Sequence, residues 1–164
     1  MSQISATERR FLGFWRLADW SAKDLASGQT RAPMEGRAVG HLHYTSDGRV
    51  SATLMHEARA PLTLDRLAVA SLRQQVLNGG ATDLDAPELE GVMRYFMAGT
   101  GYVNYSGTFS VDDNHVAHRV ETSFTPQWVG RTLRRRWTFS ESDRMLTLTA
   151  ASRQSADALV WRRD

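Results

Sequence analysis

From residue 105 to residue 148 the chain reads YSGTFSVDDNHVAHRVETSFTPQWVGRTLRRRWTFSESDRMLTL, with apolar residues at every second position and turn residues at short intervals. That period predicts antiparallel strands joined by hairpins. A turn at Asp112-Asp113-Asn114 sets Tyr105, Gly107, Phe109 and Val111 across from Val116, His118, Val120, Thr122 and Phe124. Pro126-Gln127-Trp128 marks a bend, after which Leu133, Arg135, Trp137 and Phe139 share a face. Residues 140–143 form a turn, Leu146 and Leu148 resume the pattern, and residues 158–163 make a closing strand. Upstream, residues 11–20 read as the first strand, with Trp15, Leu17 and Asp19 on one face and Phe14, Arg16, Ala18 and Trp20 on the other. Residues 21–38 carry loop signals and are expected at the rim of a binding site. Residues 39–55 form a hairpin about Asp47-Gly48. Its greasier face, Leu42, Tyr44, Val50, Ala52 and Leu54 with His56 at the strand end, is assigned inward, and His41 and His43 outward.

Residues 57–100 break the period of two. Leu64, Leu67, Ala68, Leu72 and Val76 repeat at helical spacing up to Asn78-Gly79-Gly80. A second helix starts near Asp85 and carries Leu89, Val92, Met93, Phe96 and Met97 as its apolar stripe. The chain therefore reads as one mainly β domain over residues 1–164: an up-and-down antiparallel barrel of about eight to ten strands with a helical insertion around residues 63–98. A barrel is favoured over a sandwich because roughly eight strands close around an interior that holds one small ligand. The helical pair fits two roles, a core plug or a lid with Met93 and Met97 as adaptable ligand contacts.

Composition narrows the function classes. The chain has 164 residues, no cysteine and a formal charge of +2, which leaves one core and no thiol or disulfide chemistry. The tightest basic run, Arg134-Arg135-Arg136, lies on a predicted strand, so its side chains alternate between faces and make no nucleic-acid stripe. No apolar run approaches the roughly 20 residues of a membrane span, and the first fifteen residues lack a signal-peptide core, so a cytoplasmic protein with no membrane or nucleic-acid partner is expected. A phosphate-cradling glycine loop, a nucleophile elbow and a dinucleotide fingerprint are all missing, so no cofactor is expected. His41 and His43 have a spacing that suits zinc on a strand, but no third ligand follows at a fitting distance, so no metal site is assigned.

The candidate chemistry sits on the inward faces as Asp19, Tyr44, His56, Tyr105, His118 and Arg135. His118 lies between Val116 and Val120; it is either a hydrogen-bonded core histidine or a neutral imidazole placed for acid–base work. Arg135 needs a partner if it points inward. Asp19 would make it a structural ion pair, and a ligand carboxylate or enolate oxygen would make it a binding group. Tyr44 and Tyr105 could donate to an oxygen that gains charge. Phe109, Phe124 and Trp137 are expected to line the cavity with His56 at its rim, whereas Trp20, Trp128 and Trp161 read as packing or rim aromatics. Phe14 and Trp20, taken as outward, suggest a surface that a homodimer would bury.

The ordered set Gly13-Phe14-Trp15-Arg16-Leu17, GHLHYTSDGRVSATLM (40–55), YSGTFSV (105–111), HRVETSFTPQWVG (118–130), Arg135 and LVWRR (159–163) resembles the lipocalin-like domain family. The resemblance implies a calycin-type up-and-down barrel with Trp15 at its closed end near Arg162 or Arg163. It implies no single activity, since related barrels bind apolar ligands or act as cofactor-free isomerases, cyclases and lyases. The expectation is a barrel that binds a small apolar or aromatic molecule bearing a carbonyl or carboxylate. The leading form is a cofactor-free isomerase, cyclase or lyase using His118, Arg135, Asp19, Tyr44 and Tyr105; the alternative is a carrier that leaves its ligand unchanged.

Overall fold

The alternating segments form one antiparallel sheet that closes on itself. The computed structural model describes residues 4–80 and 84–164, which make two units: residues up to 57 together with those from 102 onward, and residues 58–101. The first unit opens with a short helix, α1 (Ala6–Phe11), and continues through β1 (Gly13–Asp24), β2 (Thr30–Arg31), β3 (Ala38–Tyr44), β4 (Arg49–His56), β5 (Tyr102–Val111), β6 (His115–Ser123), β7 (Thr132–Phe139), β8 (Met145–Ala151) and β9 (Ser155–Arg163). Each strand from β3 onward pairs with the next, and β1 pairs with both β3 and β9, so eight strands close into a barrel. The two-residue β2 lies against the far half of β1. Residues 21–24 therefore belong to the first strand and are not loop, because β1 keeps pairing with β9 as far as Asp24↔Ser155.

Two bulges reset the alternation. The β1–β9 register slips between Leu17 and Asp19. The extra residue, Ala18, turns every later side chain of β1 to the opposite face. Trp20 and Ala22 thus point inward and Asp19 is exposed, the reverse of the simple alternation. A second slip lies between Ser106 and Gly107, where Glu121 is the extra residue of β6. Only glycine fits at 107, since a Cβ there would lie 1.9 Å from the Arg119 carbonyl oxygen. Beyond this bulge Phe124 is 55% exposed instead of inward.

One end of the barrel is filled. Ser5 and Glu8 form a capping box on α1, which sets Phe11, fully buried, edge-on against Tyr44, Trp137 and Phe139 at ring separations of 5.4, 5.6 and 5.0 Å. Trp15 is also fully buried and donates from Nε1 to the Phe11 carbonyl at 2.8 Å. The guanidinium of Arg163 stacks 4.1 Å from the Trp15 ring and donates to the carbonyls of Leu12 and Arg10. Of the two arginines expected near Trp15, it is Arg163 that meets it. Arg10 completes the clamp with a two-pronged bond to Asp143, at 3.0 and 2.6 Å.

The second unit holds the helices that the period of 3.6 predicts. α2 (Arg66–Leu77) is capped by Asp65, and α3 (Ala86–Thr100) by a capping box of Asp85 and Glu88. Gly91 of α3 is buried and admits Leu64, whose Cδ1 would lie 2.3 Å from an added Cβ. An apolar groove of about 370 Å³ runs between the two helices. Among the described residues, no helix is long and apolar enough to cross a membrane.

The Phe11 side chain seals the filled end through its ring contacts with Tyr44, Trp137 and Phe139. Phe11→Ala should therefore lower unfolding stability by about 3–5 kcal/mol, the range for deleting a buried aromatic ring, read as a fall in the urea midpoint at unchanged slope. An unaltered midpoint would show that α1 does not belong to the core.

Candidate functional site

The other half of the barrel is hollow. A cavity of about 370 Å³ is walled by Leu42, Ala52, Leu54, Val103, Leu148, Ala150 and Leu159, with four aromatic residues, Trp20, Tyr105, Trp128 and Trp161, and two charged ones, Arg135 and Asp157. A mostly apolar wall with few polar groups is the usual make-up of a small-molecule site.

From Tyr105 on that wall a chain of three buried polar side chains runs back into the barrel. His118 is fully buried, Tyr44 is 1% and Tyr105 4% exposed. The Tyr44 hydroxyl bonds His118 Nε2 at 2.8 Å, and the Tyr105 hydroxyl bonds Nδ1 at 2.8 Å. The chain forms because β3, β5 and β6 each point an inward position at it; Phe109, the β5 partner of His118, packs on the Tyr44 ring at 4.8 Å. Burial drives the His118 pKa well below the ordinary imidazole value, and the Arg135 charge adds to the effect. Burial also raises the pKa of Tyr44 well above the usual phenol value and that of Tyr105 above it, so all three groups are neutral. A neutral imidazole donates from one nitrogen and accepts at the other, so one tyrosine donates to it and the other accepts from it.

Among the described residues, Arg135 is the one cation on the cavity wall. Its guanidinium carbon lies 5.6 Å from the centre of the Tyr105 ring. Among the described residues, no carboxylate comes within ion-pairing distance of it. Asp19, the partner that would have made it structural, is turned outward by the bulge at Ala18. Asp157 is held instead by Trp20, whose Nε1 donates to Oδ1 at 3.1 Å, and by the Ser155 hydroxyl at 3.4 Å. The buried Trp161 Nε1 meets no acceptor.

Of the expected site residues, Tyr44, Tyr105, His118 and Arg135 converge, and Asp19 does not. Only Tyr105 and Arg135 of these reach the cavity wall, since Tyr44 and His118 stand behind it. Phe109 packs on Tyr44, Trp137 on Phe11, and Phe124 is exposed beside Tyr102, so none of the three lines the cavity. The first two sit past the midpoint, in the filled half, and the third lies beyond the β6 bulge. His56 sits at the end of β4, 3.9 Å from Glu35, outside the lining. Met93 and Met97 belong to α3, in the helical unit, and stand outside the lining of its groove. His41 and His43 flank the Phe14 ring on the outer face, and among the described residues no group of three metal-ligating side chains is assembled. Phe14 does lie outward, whereas Trp20 faces the cavity.

Sequence reasoning missed Asp157, Trp20, Trp128 and Trp161 as wall residues. Asp157, Leu159 and Trp161 alternate on one strand face, so extending the closing strand one residue back from Ala158 would have found the carboxylate. No local signal marks the bulge that brings Trp20 inside.

A family model described as a lipocalin-like domain matches residues 12–164, and the chain belongs to that family. No curated protein matches the chain.

The depressed His118 pKa makes stability depend on pH. The folded state resists protonation of this imidazole, whereas the unfolded chain takes up the proton near pH 6.5. The contribution is whole above about pH 6.5 and is lost as pH falls below it, at up to about 1.4 kcal/mol per pH unit. The urea midpoint of the wild-type protein should therefore drop between pH 7.5 and pH 5.5. In His118→Gln, which keeps a donor and an acceptor but cannot titrate, that drop should shrink; equal slopes in the two proteins would show that the imidazole charges freely in the fold.

Proposed function

We propose that the hollow half of this lipocalin-like barrel binds a small, mostly apolar molecule through a carboxylate or enolate oxygen held by Arg135, and that Tyr105, backed by His118, exchanges a proton with it. The observation that carries this reading is an arginine on the wall of an apolar cavity that has no carboxylate partner among the described residues. Arg135 is half-buried on that wall, and an anionic ligand would engage the guanidinium's fork of donors in surroundings drier than bulk water. The aromatic wall favours a planar or ring-bearing body.

The chemistry follows from what touches the cavity. His118 is sealed off, so it acts through Tyr105 and not on the ligand directly. The Tyr105 hydroxyl, bonded to the imidazole, is the group able to give or take a proton at the ligand. Its loss or gain is compensated along the bond to His118. An isomerisation or cyclisation removes one proton and returns another, so the chain ends in its starting state. Arg135 would stabilise the negative charge in between. A carrier that leaves its ligand unchanged is the second reading. It is favoured by the same sealing, because a histidine bonded at both nitrogens is also a satisfied core network.

Two measurements separate the cases. Tryptophan fluorescence titrations with aryl and alkyl carboxylates and with their methyl esters should show the acids binding more tightly, and Arg135→Gln should weaken the acids by about 10–100-fold, the equivalent of one or two charge-assisted bonds. Equal affinity for acid and ester would overturn the role of Arg135. For any compound converted by the wild-type protein, Tyr105→Phe and His118→Gln should each lower turnover by at least about 100-fold while binding persists. Release of every bound compound unchanged would leave the carrier reading.

A further inference from the structure

The cavity has a second polar pole. Among the described residues, Asp157 is the one carboxylate on its wall and pairs with no cation; its oxygens accept from Trp20 Nε1 and the Ser155 hydroxyl. Arg135 and Asp157 share one hollow without pairing, although they lie on strands separated by a single neighbour. The β7–β8 pairing ends at Arg136↔Thr149, one residue short of Arg135 and Ala150, while Ala150 pairs with Asp157 on β9. All three residues line the cavity, in the row of strands β7, β8 and β9, and the alanine between the two charged residues contributes only a methyl group. Arg135 turns its guanidinium to the Tyr105 ring on the opposite side of the row, so the floor over Ala150 is left open.

We propose that Ala150 is the floor of a slot for a two-ended ligand: an apolar, ring-bearing body with an acid at the Arg135 end and a hydroxyl or amine at the other, donated to Asp157. The inference rests on the reading that this hollow holds a ligand on Arg135, and it names the ligand class. A carboxylate facing an apolar cavity accepts hydrogen bonds and gives none. An unsubstituted acid would leave the free acceptor sites of Asp157 desolvated without a donor, so the site discriminates against ligands that are greasy at that end. Trp20 has a part in this arrangement: its indole N–H fixes one carboxylate oxygen, which presents the other toward the slot or to Ser155. Asp157 is in this sense a specificity residue and Arg135 an affinity residue.

The test uses three probes of one shape, 3-phenylpropanoate, 3-(4-hydroxyphenyl)propanoate and 3-(4-aminomethylphenyl)propanoate, titrated against the full chain by tryptophan fluorescence. In the wild-type protein the hydroxyl and amine probes should bind about tenfold or more tightly than the parent, as expected for a bond to a charged acceptor. Asp157→Asn keeps an acceptor for Trp20 but removes the charge; it should erase the amine's advantage, reduce that of the hydroxyl and leave the parent unchanged. Ala150→Leu keeps both poles and fills the slot, and it should weaken all three probes. Equal binding of the three probes by the wild-type protein, an undiminished advantage of either substituted probe in Asp157→Asn, or unaltered binding in Ala150→Leu would each overturn the two-ended slot while leaving Arg135 as an anion site. Failure of every probe, the parent included, would instead overturn the Arg135 reading on which the slot rests.

Discussion

The pairing of β1 with β9 is the constraint on which the rest of this molecule depends. It runs from Trp15↔Arg163 to Asp24↔Ser155 and turns an open sheet into a closed wall, so every inward side chain must be accommodated in a fixed interior. The same pairing brings Arg163 onto Trp15 and the carbonyls of the entering chain. Closure and the plugging of one end are therefore one event. Large rings, Phe11, Trp15, Trp137 and Phe139, fill that end, whereas at the other the rings of Trp20, Trp128 and Trp161 stand among smaller residues, Ala52, Ala150 and Val103, around a hollow.

The division of the interior explains why its polar groups differ in kind. Tyr44, His118 and Tyr105 stand between the halves, and their hydrogen bonds satisfy both nitrogens of the imidazole. In a low-dielectric interior such a chain is rigid while it is neutral, and burial keeps it so. Arg135 and Asp157 stand in the hollow half, where the first lies over the Tyr105 ring, the second is held by Trp20 and Ser155, and both border the cavity. The first group resembles structure and the second resembles recognition. Tyr105 belongs to both, since it bonds the imidazole, carries the guanidinium over its ring and lines the cavity.

The helical unit follows a different logic. Its caps at Asp65 and Asp85 and the close approach of Leu64 to Gly91 are local devices, readable from turn chemistry and the period of 3.6. They hold two amphipathic helices together by contacts within the unit, and Met93 and Met97 of α3 stand outside the groove between those helices.

What the sequence determined by itself is whatever depends on neighbours along the chain. The period of two fixed the strands, Asp47-Gly48 and Asp112-Asp113-Asn114 fixed hairpins, and alternation placed Tyr44, Tyr105, His118 and Arg135 inward, where they are found. What only the tertiary structure decided depends on register between strands far apart in the chain. A single inserted residue, Ala18, exchanged Asp19 for Trp20 inside the barrel, and another, Glu121, put Phe124 outside. How far along the barrel each inward residue lies was equally illegible, because alternation assigns a face but not a height. That height separated Phe109 and Trp137 in the filled half from Arg135 and Asp157 in the hollow one, and with it the packing residues from those a ligand would meet.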